Sequence, residues 1–379
     1  MKYKKIFAVL AAIIVAASAF VPLGVAQAAY RFSDFQGKPP VHIYKSAQSA
    51  PSGMTPAEIK KIYNLPATGG KGTIALIDAY DDANMESDLA VFDKQFGLPS
   101  CTTANGCFEK HKMVSSTASN SGWAMETSLD VEWAHAIAPA AKILLVEAKT
   151  PSGANLLSAI DYAAARKDVV AVSMSWGGAE FSDELSYDSH FTSKTGSGIT
   201  FFASSGDDGT GASWPASSPS VIGVGGTSLQ ISSSGAFVAE TAWSGSGGGV
   251  SAYEKEPAYQ TAYKISKANG LRAIPDVSYD ADPASGYPVY ITTGSGTKAK
   301  GAWDEVGGTS AGAPQWAAIQ ALGGSAALAK FYTDKASTST LKYFRDITSG
   351  SNGTCSYYCD ARKRYDYVTG LGSPQTVKF

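Results

Sequence analysis

The chain has 379 residues, 44% hydrophobic and 17% charged, which is enough apolar material to bury a large core. Its 31 basic and 33 acidic side chains leave a formal charge of −2 and form no basic patch, which argues against a nucleic-acid partner. A basic start, Met1 to Lys5, is followed by an almost wholly apolar run from Ile6 to Phe20 and by Ala26-Gln27-Ala28. That pattern is a secretory signal peptide with a small-x-small cleavage site, not a membrane span. Residues 1–28 are therefore expected to be removed and the remainder secreted to the extracellular space. No later stretch is long and apolar enough to cross a membrane. The mature chain keeps 28 basic against 33 acidic residues, because only Lys2, Lys4 and Lys5 leave with the signal.

Residues 29–53 contain Pro, Ser and Lys without clear periodicity and read as an N-terminal extension or short propeptide. Thr55-Pro56-Ala57-Glu58 is a capping box opening a helix that carries Ile59 and Ile62. Strands are predicted at 73–78, 142–147, 169–174 and 199–203, and helices at 84–96, 122–137 and 153–166. This alternation predicts an α/β fold with a mainly parallel sheet and helices on both faces. Gly/Ser-rich stretches at 204–213, 232–249 and 293–301 are predicted loops. There is no internal repeat. Cys101, Cys107, Cys355 and Cys359 allow three disulfide connectivities, of which the two local pairs, 101–107 and 355–359, are the economical choice. No histidine lies near either pair, so zinc is the poorer reading.

Three segments carry chemistry. In the helix at 122–137, Met125, Leu129, Trp133 and Ile137 recur at helical spacing, and Pro139 stops it. Glu126 and Asp130 stand four apart and so share a face. Two neighbouring carboxylates cannot both ionise cheaply, and a pair that shares a proton can take one from a hydroxyl and return it to an amine. By spacing alone, an ordinary solvated acidic face is the better reading. The run Ile199 to Ala203 ends in Ser204-Ser205-Gly206-Asp207-Asp208-Gly209, polar residues at the end of a buried strand, although a tight Asp-Gly turn also fits. Gly307-Gly308-Thr309-Ser310-Ala311-Gly312-Ala313-Pro314 sets a serine between glycines at the start of a small-residue helix, where free N–H groups and the dipole favour a developing anion. A plain Gly/Ser/Thr helix cap is the alternative. All four histidines, His42, His111, His135 and His190, lie upstream, which excludes the Ser–acid–His order of an α/β-hydrolase.

Together and in this order, the Glu-x-x-x-Asp helix, Ser-Gly-Asp-x-Gly and Gly-Thr-Ser-x-x-x-Pro resemble the sedolisin family, the serine-carboxyl peptidases. Ser173-Met174-Ser175-Trp176-Gly177-Gly178, Trp243 with Gly247 to Ser251, and Pro275 to Pro283 extend the resemblance, which runs from about Thr55 to Pro374. It implies a subtilisin-like fold with a single peptidase domain over 54–379, acting on proteins or peptides as a secreted, monomeric endopeptidase at acidic pH. Carried over, Ser310 is the nucleophile, Glu126 the general base and acid, Asp130 its partner and Asp207 the oxyanion-hole residue, with Asp78 and Trp176 in support. Asp346, Ile347, Arg362, Arg364 and Asp366 match the family's calcium site. Arg362 and Arg364 stand where the family has glycines, and add positive charge there. The family's large folded N-terminal prosegment has no counterpart in the residues between the signal and Thr55. A subtilisin-type set of Asp78, His111 and Ser310 also has the right chain order, but His111 lacks the small-residue helix that presents such a base. A non-catalytic binding protein on the same scaffold is the third reading.

Overall fold

The computed structural model describes residues 30–294, 299–323, 328–333 and 343–377. The signal peptide expected over 1–28 lies outside the described residues. In chain order the main elements are β1 (His42–Gln48), α1 (Pro56–Ile62), β2 (Thr73–Ala79), α2 (Met85–Phe96), β3 (Phe108–Lys112), α3 (Ser121–Ile137), β4 (Lys142–Ala148), α4 (Gly153–Ala164) and β5 (Val169–Met174). They continue with β6 (Thr200–Ser204), β7 (Val221–Ile231), β8 (Phe237–Ala242), β9 (Val277–Asp280), β10 (Tyr287–Thr293), β11 (Lys300–Gly307) and α5 (Gly312–Ala321).

The central sheet has eight strands in the order β8-β7-β6-β5-β2-β4-β3, with β9 also paired to β7. Every pairing is parallel except β8 on β7. Parallel strands covered on both sides should be apolar on both sides, and they are. Ile74 and Leu76 of β2, with Ile143 and Leu145 of β4, pack into one core beside Leu129, Trp133 and Ile137 of α3 and Trp316 of α5. Ala75 and Ile77, with Leu144 and Val146, pack into the other beside Leu156, Ile160 and Ala163 of α4. The expected fold class is the one observed.

The local signals behave as their chemistry requires. Thr55 accepts the Glu58 N–H while the Glu58 carboxylate accepts the Thr55 N–H at 2.9 Å. Helix α3 starts one residue earlier than expected because Asn120 caps it, accepting the Trp123 N–H at 3.1 Å. The helix expected to reach 166 ends at Ala164. The stretch 232–249 is not all loop: Phe237–Ala242 forms β8, an antiparallel partner of β7, because a turn at Ser232–Gly235 brings its alternating residues back along that strand. Likewise β11 begins at Lys300, inside the stretch expected as loop at 293–301. Residues 30–53 contain β1, which pairs antiparallel with β11 in a second, three-stranded sheet with β10. Both local disulfides, Cys101–Cys107 and Cys355–Cys359, are formed. Among the described residues, no helix is long and apolar enough to cross a membrane.

Candidate active site

Parallel sheets place their ligands at the carboxyl ends of the strands, and the expected residues gather there. Asp78 is the penultimate residue of β2, Ser175 and Trp176 follow β5, and Asp207 follows β6. Ser310 lies in a 3₁₀ turn, Thr309–Ala311, that leads into α5. Helix α3, which carries Glu126 and Asp130, packs against both that turn and α5.

The acidic face of α3 is not solvated. Glu126, Asp130, Asp78 and Ser310 are all 0% exposed. Neither carboxylate oxygen of Glu126 has a hydrogen-bond partner among the described residues. Burial, then the nearby charges of Asp130 and Asp78, push its pKa well above the carboxylate range, while the Ser310 hydroxyl pulls in the opposite direction. Asp130 is raised to about 8 by burial, against the hydrogen bond from Ser175 and the nearby Glu126 carboxyl. Asp78 is raised well above its ordinary value by burial and by Asp130, Glu147 and Asp82. No basic side chain forms an ion pair with these three carboxyls among the described residues. They form a buried acid cluster that lowers its electrostatic cost by holding protons.

Ser175, which sequence reasoning assigned no role, ties the cluster to the serine. Its hydroxyl donates to Asp130 Oδ1 at 2.7 Å and lies 3.3 Å from the Ser310 carbonyl oxygen, while the Ser310 hydroxyl donates to the Ser175 carbonyl at 3.4 Å. Trp176 reaches the cluster through the backbone: its indole N–H donates to the Ile77 carbonyl at 2.8 Å, beside Asp78. Asp207 stands on the other side of Ser310's turn, its Oδ1 accepting the Thr309 N–H at 2.8 Å and the Thr309 hydroxyl at 2.7 Å. Burial raises its pKa, while His42 and Thr309 oppose that. Gly308 adopts φ +133°, and a methyl group there would lie 2.1 Å from the Pro40 carbonyl oxygen and 2.5 Å from Asp207 Oδ2. Only glycine serves at that position. A cleft of about 640 Å³ opens here, lined among others by Lys38, Pro40, His42, Gly177, Ala179 and Asp207.

The histidine alternative does not assemble. His111 lies on the edge strand β3, its ring stacked 3.7 Å from that of Tyr162 on α4, and it makes no hydrogen bond to Asp78 or Ser310. The histidine that does reach the site is His42, with Nε2 3.1 Å from Asp207 Oδ2. Only its place in the tertiary structure identifies it, because the surrounding sequence carries no motif.

At the C-terminal end, Asp346 and Asp366 converge on one short segment. Both Asp346 oxygens accept the Arg364 N–H, at 2.9 and 3.0 Å, and Asp366 Oδ2 accepts the Arg362 N–H at 3.0 Å. Asp366 Oδ1 accepts the N–H groups of Val368 and Thr369, both at 2.8 Å. Burial raises Asp346 and takes Asp366 to about 7. Arg364 keeps a left-handed backbone, φ +68°, although it is not glycine. Two carboxylates, Asp366 buried and Asp346 half-buried, without a lysine or arginine ion-pair partner among the described residues and meeting at a turn rich in carbonyls, fit a hard cation. The hydrogen bonds now filling these carboxylates compete with such an ion.

Comparison with known proteins gives a consistent picture. The model of the subtilase family matches residues 113–344. The chain is 28% identical to sedolisin of Pseudomonas sp. (strain 101) over 381 aligned positions, which cover 88% of this chain and 61% of that protein. It is 30% identical to kumamolisin of Bacillus sp. (strain MN-32), over 88% of this chain and 64% of that one. The chain thus spans about three-fifths of the length of these curated relatives. Among solved structures, Pseudomonas sedolisin complexed with two molecules of pseudo-iodotyrostatin superposes with a TM-score of 0.71 at 28% identity, covering 86% of this chain and 96% of that one. Sphericase, 18% identical with a TM-score of 0.56, shares the fold.

Proposed function

Because the chain belongs to the subtilase family, and within it to the sedolisins, we propose that it is a secreted serine-carboxyl endopeptidase. The observation that carries this reading is the burial of Glu126, Asp130 and Asp78 together behind Ser310 without a basic partner. A group that must hold a proton when buried, beside a hydroxyl at a helix N-terminus, is a proton shuttle for acyl transfer.

In this mechanism the Ser310 hydroxyl attacks the scissile carbonyl of a peptide. Glu126 takes the serine proton and delivers it to the leaving amine, and Asp130 shares the proton with Glu126. The Ser310 hydroxyl now donates to the Ser175 carbonyl, so the serine–glutamate hydrogen bond forms as substrate binds. Asp207, held by Thr309, donates to the developing oxyanion and must be protonated to do so. That requirement places the working range on the acid side. Asp78 and Trp176 position the cluster rather than touch substrate. A calcium ion held by Asp346 and Asp366, with the carbonyls of Ile347, Arg362 and Arg364, would order the C-terminal loop and takes no part in the reaction. The substrates are proteins or peptides, and the enzyme acts as a monomer.

The test is peptide hydrolysis against pH for the wild type and Ser310→Ala. Activity on the acid side of neutrality that falls by about 10⁴ or more in a folded Ser310→Ala protein is expected. Near-normal turnover by that variant refutes the assignment.

A further inference from the structure

Along the chain no histidine stands near a cysteine pair, but the fold reverses this for one of them. Cys101, in the loop between α2 and β3, is fully buried in the core that also holds Leu129 and Trp133 of α3. His135, two residues further along α3, is fully buried as well. One ring nitrogen of His135 and the sulfurs of Cys101 and Cys107 all lie within 4.8 Å of one another. Among the described residues, no other three ligand atoms from cysteine, histidine or acid side chains come this close together. Asp93 of α2 borders the group. Its Oδ1 is 3.3 Å from His135 Nε2, and its Oδ2 accepts the Cys101 N–H at 3.0 Å.

The surrounding protein leaves these donors partly unused. His135 Nε2 meets the Pro99 carbonyl at 2.9 Å, whereas its buried Nδ1 has no hydrogen-bond partner among the described residues. Asp93 Oδ1 likewise accepts no hydrogen bond. An imidazole with one nitrogen fixed on a backbone carbonyl and the other bare is the form in which histidine ligates metals. Burial also lowers the His135 pKa to about 4, so the ring is neutral and keeps a lone pair across the neutral range. Two thiolates and an imidazole select zinc over a hard ion such as calcium, and an aspartate can complete a tetrahedron. The two thiolates also neutralise the charge of the ion, which a buried site requires.

The Cys101–Cys107 bond closes this site, because each sulfur is spent on the other. A dithiol can open it, giving two electrons to the bond and becoming a disulfide itself while the chain gains two thiols. Zinc then displaces both thiol protons as two sulfur–metal bonds form. With zinc–sulfur bonds of about 2.3 Å, the sulfurs must part to about 3.8 Å. Cys107 has room to do so, being half-buried behind the exposed residues Asn105 and Gly106, which also give reductant and ion a way in.

We propose that Cys101, Cys107 and His135, with Asp93 in the fourth position, form a redox-gated zinc site. It is closed in the disulfide form. In the reduced chain it takes one zinc ion, which staples the α2–β3 loop to α3 in place of the disulfide. The site does not depend on the peptidase reading.

The test uses full-length Ser310→Ala protein carrying Cys355→Ser and Cys359→Ser, so that only one cysteine pair remains. The protein is reduced with a phosphine, freed of it without air, and titrated with cobalt(II) and then zinc. Reduced protein should bind one cobalt with thiolate-to-metal charge-transfer and tetrahedral d–d absorption, and zinc should displace it. Zinc should raise the melting temperature of the reduced form by several degrees and leave the oxidised form unchanged. Cys107→Ala and His135→Gln should each weaken zinc binding by about ten-fold or more. No tetrahedral spectrum in reduced protein, or a melting temperature indifferent to zinc, overturns the proposal. So does unchanged zinc affinity in Cys107→Ala, a half-buried loop position at which loss of the fold is not expected, or in a folded His135→Gln protein. The same spectrum in the oxidised form refutes the redox gate.

Discussion

Replacing Asp88 with asparagine tests the electrostatic character of this fold without touching the candidate site. Asp88 is 1% exposed on α2, its Oδ2 accepting the Thr292 N–H at 2.7 Å and its Oδ1 the Thr292 hydroxyl at 2.6 Å. Burial lifts its pKa from 3.8 to about 6, although both hydrogen bonds pull it down. The folded chain therefore binds this proton more tightly than the unfolded chain. The stability it contributes is fully present below about pH 4 and is lost as pH rises through the window to about pH 6. At about 1.4 kcal/mol per pKa unit, a shift of about two units bounds the loss at about 3 kcal/mol. Asparagine keeps the shape, can accept the Thr292 N–H, can donate to the Thr292 hydroxyl oxygen, and does not titrate. In a Ser310→Ala background, which prevents self-digestion, urea unfolding at pH 3.5 should not distinguish Asp88→Asn from its parent. At pH 7 the variant should be more stable by up to about 3 kcal/mol, roughly 1 M in midpoint for a slope of about 3 kcal/mol/M. Parallel pH profiles, or a variant less stable at every pH, would refute the reasoning. The sign is the same for Glu147 at about 7, Glu254 at about 8 and Glu184 at about 9, so these carboxyls together favour the folded chain in acid, whereas buried His135, lowered to about 4, and Asp168, lowered to about 2, weaken it there.

Three further outcomes are expected. Glu126→Gln preserves shape but removes the titrating group, so peptide hydrolysis should collapse by orders of magnitude, while His111→Ala, which loses only a ring stacked on Tyr162, should change it little; the reverse result would restore a histidine base. Asp207→Ala should cost about 10²–10³ in kcat, whereas Asp207→Asn keeps a donor that needs no proton and should retain more activity or extend it toward neutral pH; equal, mild losses in the two pH profiles would make Asp207 a turn residue only. Chelation should lower the melting temperature and expose the region around 346–366 to added protease before the core opens, and Asp366→Ala should reproduce this and abolish any effect of added calcium; a melting curve indifferent to both chelator and calcium would mean that Arg362 and Arg364 have closed the site.

Much was legible in the chain because it depends on local spacing. Apolar runs of five to seven residues alternating with helical periods identify a parallel sheet, since strands buried on both faces must be apolar throughout. The Glu126–Asp130 interval, the glycines around Ser310 and the Ser-Gly-Asp turn are short patterns, and each lies where its spacing implied. The strand Phe237–Ala242 was hidden because its surroundings are rich in glycine and serine, and its pairing with β7 depends on a turn. Tertiary structure alone decided the rest, because burial and long-range contact are not properties of spacing. By spacing alone Glu126 and Asp130 read better as a solvated face, and only the packing of α3 against α5 and the sheet shows them enclosed. Ser175 acquired a role only when β5 brought its hydroxyl to Asp130, 45 residues away in sequence. His42, in a segment without periodicity, is 165 residues from Asp207, and only the pairing of β1 with β11 carries it across the cleft to that carboxyl.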